Sequence, residues 1–218
     1  MNITLAKSLF KENFIGPDEL KASRKFIEFK IPSQIPKIDI NLNNVNYTNS
    51  ILILGVDKLK DDSRLNIQKL VSLFGNKSTL DHPNFYNQDW YLNEQFTDKT
   101  VSLKWYLIEK KVCDNSRGVK PKIDDEEFLP SAILCAYVFF LFWFNTNKIL
   151  WENDFVWCND KDSFGDRIYI GKYNIVNNLS DYKFEKIFMN NKIMEQKHLC
   201  TDSYEPEWKF YSILKTKN

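Results

Sequence analysis

Hydrophobic positions alternate, run together or recur at helical spacing in different stretches of the chain, and each pattern predicts a different element. Ile27, Phe29 and Ile31 alternate with polar residues, which predicts a strand over 26–31. Ile51 to Leu54 form a short unbroken apolar run, as in a strand buried on both faces. Further strands are predicted near 101–108, 154–158 and 167–171, the last two joined as a hairpin by the turn 159–166. Residues 2–14 are weakly amphipathic and read as a helix. Gly16-Pro17-Asp18-Glu19 starts another, because proline suits the first helical position and acids suit the positive end of the helix dipole. Ser63 is placed to cap a helix running to Phe74, with Gly75 as its stop.

The longest apolar run is Ala132 to Phe144, opened by Pro130 and closed by Asn145. As a helix it would span about 20 Å at 1.5 Å per residue. A bilayer core of about 30 Å needs about 20 residues. A central helix apolar all round, buried in a soluble protein, is therefore the expected element. Together these patterns predict an α+β fold. The expectation is one domain over residues 1–218, with a mixed β-sheet from the strands near 26–31, 51–56, 101–108, 154–158 and 167–171 packed on a buried apolar helix at about 130–144.

Composition changes this picture little. The chain has 218 residues, 43% of them hydrophobic and 15% aromatic, which excludes a disordered polymer. A net charge of +1 gives no sign of a nucleic-acid or anionic-membrane partner. Four cysteines, Cys113, Cys135, Cys158 and Cys200, stand far apart, and the only histidines are His82 and His198. That spacing predicts neither a zinc site nor a disulfide framework. With no apolar leader after Met1, it points to a reducing cytoplasm.

Three constellations could carry chemistry. The segment 80–96 is rich in aromatics and lacks regular periodicity. It sets His82, Tyr86, Asp89, Trp90 and Glu94 close in sequence, and such mixtures suit stacking and hydrogen bonding to a ligand. The second is an acid followed by Glu-x-Lys, the pattern of Mg²⁺-dependent nucleases of the restriction-enzyme type. There two acids hold the metal and a lysine polarises the attacking water. Asp98, Glu109 and Lys111 fit it at the end of a predicted strand, and Asp18, Glu28 and Lys30 fit it literally. Yet Glu-x-Lys also occurs at Glu19, Glu195 and Glu207, as twelve glutamates and twenty-six lysines make unsurprising. The third is Asp160, Asp162 and Asp166 around Gly165, like the start of a calcium loop. An EF-hand would need acids where Phe164 and Gly171 stand, so a solvated turn is expected. Dinucleotide, P-loop, nucleophile-elbow and zincin motifs are absent from the sequence.

Asn13-Phe-Ile-Gly-Pro-Asp-Glu-Leu20, Tyr86-Asn-Gln-Asp-Trp-Tyr-Leu-Asn-Glu94, Lys104-Trp-Tyr-Leu-Ile108 and Gly165-Asp-Arg-Ile-Tyr-Ile-Gly171 resemble a group of uncharacterised bacterial proteins over residues 13–173. The resemblance implies an origin in bacteria or their mobile elements and no activity. The functional expectation is a cytoplasmic binding or interaction module without a cofactor, its recognition surface around 82–96. Its ligand would be a protein, a sugar or a nucleic acid, and not a membrane. The alternative is the Mg²⁺-dependent hydrolase using Asp98, Glu109 and Lys111.

Overall fold

The computed structural model describes residues 1–42, 44–75, 83, 85, 90–117 and 128–171, with the backbone of strand residues 188–189, 192–193, 200–202, 211–212 and 216–217. In chain order the elements are α1 (Ile3–Phe10), β1 (Phe14–Ile15), α2 (Pro17–Ala22), β2 (Ser50–Leu54), α3 (Ile67–Phe74), β3 (Trp105–Glu109), α4 (Ala132–Thr146), β4 (Phe155–Lys161) and β5 (Arg167–Gly171). Short strands β6 (Phe188–Met189), β7 (Lys192–Ile193), β8 (Cys200–Asp202), β9 (Tyr211–Ser212) and β10 (Thr216–Lys217) follow.

The α+β class expected from the patterning is the observed one, but its strands divide between two four-stranded sheets and a separate antiparallel pair, β6-β7. The first has the order β1-β2-β3-β10 and is mixed, with β1 parallel to β2 and the other pairs antiparallel. The second has the order β8-β5-β4-β9, in which only β4 and β9 run parallel. Segment 26–31 joins neither. Its Phe26 and Ile27 amides bond back to the Ser23 carbonyl, and Phe29 makes a single bridge with Leu59. The chain facing it reverses at Asp62, where φ is 65°, so no longer ladder can form.

Helix α4 is the hub. Ala132 to Phe142 are all buried, against β1, both inner strands of the second sheet, α2 and α3. The Ser131 hydroxyl accepts from the Leu134 amide at 3.3 Å, and Asn147 closes the helix in the left-handed region with its N–H on the Trp143 carbonyl. The Tyr137 hydroxyl donates to the Leu54 carbonyl at 2.8 Å, tying the helix to β2. Among the described residues no helix is long and apolar enough to cross a membrane.

The strands read by period two. Val156, Cys158, Ile168 and Ile170 face the main core, whereas Phe155, Trp157 and Tyr169 turn to the opposite face, where Leu129 joins them. Helix α3 begins later than its sequence suggests. Asn66, not Ser63, caps it, accepting from the Lys69 amide at 2.8 Å. Ser63 instead donates through its amide and hydroxyl to Asp61 in the preceding turn. Gly75 does end the helix, at an ordinary φ of −74°. A side chain there would meet the Val71 carbonyl oxygen at 2.5 Å, so space rather than backbone freedom calls for glycine.

Candidate functional site

The described part of the aromatic segment, Trp90 to Asp98, is two consecutive 3₁₀ turns, Trp90–Asn93 and Gln95–Asp98. Two neighbours hold it. From α3, Gln68 Nε2 donates to the Leu92 carbonyl at 2.8 Å and to Thr97 Oγ1 at 3.2 Å. Arg64 Nη2 donates to the Asp98 carbonyl at 2.9 Å. On the other side stands the β4–β5 hairpin tip. Glu94 receives the Ser163 amide at 2.8 Å on one carboxylate oxygen and the Ser163 hydroxyl at 2.9 Å on the other. Tyr91 and Phe96 point into the core with Phe85, while Trp90 lies half-buried at its edge, edge-on to Tyr91 at 5.6 Å.

The tip has its own internal bracing. Asp162 Oδ1 accepts from the Phe164 and Asp166 amides, both at 2.9 Å, and the Asp162 N–H meets the Asp166 carbonyl at 2.9 Å. Gly165 turns the chain at φ 90°, a conformation that side chains disfavour. An irregularity in the ladder between Trp157 and Lys161 accompanies an inward-facing Asp160, only 1% exposed. Its carboxylate accepts from the Ala132 N–H at 2.7 Å, at the start of α4, and from Lys99 Nζ at 2.5 Å. The tip is thus fastened at its base to the central helix and at its crest to Glu94. What it presents to water is Phe164, 89% exposed.

Beneath the tip the chain is sealed. Arg167, itself buried, donates to the Cys158 carbonyl at 3.1 Å. The Cys158 and Cys135 thiols touch at 3.9 Å. Burial, with the neighbouring Cys135, pushes the Cys158 pKa well above the ordinary thiol range.

The residues singled out from the sequence fare differently. Trp90 and Glu94 both lie in the strap between α3 and the tip. His82, Tyr86 and Asp89 lie outside the described residues. Asp98 is exposed at the end of the second 3₁₀ turn, and Glu109, half-buried, ends β3 opposite Ser50. Lys111 lies beyond the strand and is exposed. In the other literal match, Glu28 pairs with Lys60 and Lys30 with Asp62, while exposed Asp18 stands 4.0 Å from Lys7. Asp160 spends both carboxylate oxygens on the Ala132 amide and Lys99, and Asp162 spends Oδ1 on two backbone amides. Among the described residues no three His, Cys, Asp or Glu side chains gather where they could hold a metal ion.

Sequence reasoning passed over Ser163 and Gln68, and read Phe164 only as a missing calcium ligand. The only signal for Phe164 was an aromatic inside an Asp/Gly-rich turn, where an apolar residue has no local task. Compared with protein-family models, curated proteins and solved structures, the chain matches none.

Proposed function

We propose that the protein is a cytoplasmic binding module of a bacterium or its mobile elements, and that its recognition surface is the 82–96 segment together with the hairpin tip it braces. The observation that carries this reading is Phe164, an aromatic held 89% exposed on a tip fixed by Asp162 and Glu94. A free surface phenylalanine forgoes about 1.5–3 kcal/mol of burial, which a partner's pocket would recover. Prior bracing lowers the ordering cost of docking. Trp90, half-buried on the same strap, adds an aromatic of the kind that anchors interfaces.

The surroundings favour a protein partner. Asp162 and Asp166 stand at the tip with Glu94 beside it on the strap, and their carboxylates repel nucleic-acid phosphates and anionic lipids. A pocket with an apolar floor and a basic rim fits this surface best. Immobilised protein exposed to a lysate of its source cell tests the reading: a partner retained by the native chain should be lost with Trp90→Ala. Retention by both proteins alike, or by neither, contradicts it.

A further inference from the structure

None of the tip residues lines the cleft of ≈ 220 Å³ beside α2. Leu20, Phe29 and Ile31 supply its apolar part, and Lys21, Arg24, Lys60 and Glu28 its charged part. Arg24 reaches it with Leu20 and Lys21 because it stands four and three residues after them along α2 and the 3₁₀ turn Ser23–Lys25, spacings that share one face. The facing wall is fixed by backbone. Phe29 bridges Leu59, the Lys60 N–H donates to the Glu28 carbonyl at 2.9 Å, and the Lys30 N–H to the Lys58 carbonyl at 3.0 Å.

The cations are unequally engaged. Lys60 Nζ meets the two Glu28 oxygens at 3.3 and 3.5 Å. Lys21 lies 3.9 Å from Asp18, a loose contact between exposed groups. The Arg24 side chain is exposed and makes no hydrogen bond or ion pair among the described residues. Three cations and one carboxylate, Glu28, therefore line the cleft, a surplus that Asp18 beside Lys21 offsets only in part. A phosphate monoester carries a charge of about −1.5 to −2 near neutral pH, which matches that surplus. Its oxygens also suit the planar fork of an unengaged guanidinium. The volume lies below the range of about 300–1,000 Å³ typical of drug-sized ligands, so the organic group is small.

We propose that this cleft binds a small aryl or alkyl phosphate monoester, its organic group on Ile31 and the edge of Phe29 and its phosphate on Arg24 with Lys21 and Lys60. Phenyl phosphate is the probe, titrated into the full chain by calorimetry and by amide NMR shifts, with inorganic phosphate, phenol and benzoate as comparators. The expected result is saturable one-site binding of phenyl phosphate, at least tenfold tighter than any comparator, with shifts at Leu20–Ile31. Arg24→Gln, at an exposed position that the fold does not use, should weaken it at least tenfold. Phe164→Ser should leave it unchanged. Four results overturn the proposal: no saturation, indifference to Arg24→Gln, inorganic phosphate binding as tightly as phenyl phosphate, or benzoate binding as tightly. The third would reduce the cleft to a surface charge patch, and the fourth would make it a carboxylate site.

Discussion

Helix α4 and the strap Trp90–Asp98 are both crowded with aromatics, yet they join the fold by opposite means. Along α4 every ring from Tyr137 to Phe142 is buried, and regular backbone bonds leave only the ends to be capped. In the strap Tyr91 and Phe96 are buried and Trp90 is half-exposed. There short i→i+3 backbone bonds form the two turns, and ties from other elements, Gln68, Arg64 and the Ser163 that faces Glu94, fasten them to the fold. An aromatic cluster is therefore informative only with its spacing. An unbroken run makes core, whereas an irregular one divides its rings between core and surface.

The contrast is broken most forcefully in α4. Phe140 stacks on Phe74 at 4.7 Å and meets Phe85 at 5.2 Å, and it is 1% exposed. Phe140→Ala should cost about 3–5 kcal/mol in denaturant unfolding. An equal loss from Trp90→Ala would erase the distinction between hub and strap.

Next in size is the joint between the two regions. Asp160→Ala removes the acceptor of the Ala132 N–H and of Lys99, and should cost about 1–3 kcal/mol. Lys99, more than half exposed, returns to water, so the loss should come mostly from the orphaned amide. Lys99→Ala alone should then cost less, which the same denaturation curves would reveal.

Alkaline pH probes the seal under the tip. The Cys158 thiol and the Tyr137 phenol both have folded pKa values raised well above their ordinary ones, chiefly by burial. The unfolded chain releases these protons first, from about pH 8.5 for the thiol and about 10 for the phenol. Their contribution to stability should therefore be level below about pH 8 and be lost as pH rises beyond it. Cys158→Ala should shift the onset of that fall upward; an unchanged profile would place the titration elsewhere.

The smallest effect belongs to the clamp. Glu94→Ala frees the Ser163 amide and hydroxyl at a solvent-accessible site and should cost about 0.5–1.5 kcal/mol. Faster amide exchange at Ser163 and Phe164 should accompany it while β4 keeps its protection.

How far the sequence could be read follows the same division. The run at 132–144, the interior strand at 51–54 and the hairpin were legible because burial on all faces, or on alternate faces, leaves a periodic mark. Strand 26–31 misled because its alternation is real but its partner is a four-residue reversal, and pairing is a property of two segments. The late start of α3 turned on which of two capping residues the Asp61 turn had already claimed. At the candidate site, Trp90 and Glu94 could be picked by residue type. The bond from Ser163 to Glu94 spans 69 residues and leaves no mark in local spacing, so Phe164 reads in the sequence only as a missing calcium ligand.

The central claim is that Phe164 serves recognition and not the fold, and one variant tests it in two readings. At 89% exposure, Phe164→Ser should leave unfolding within about 0.5 kcal/mol of the native chain. In the same preparation, the partner retained by the native protein should be lost. Full retention by a variant of unchanged stability would contradict the account.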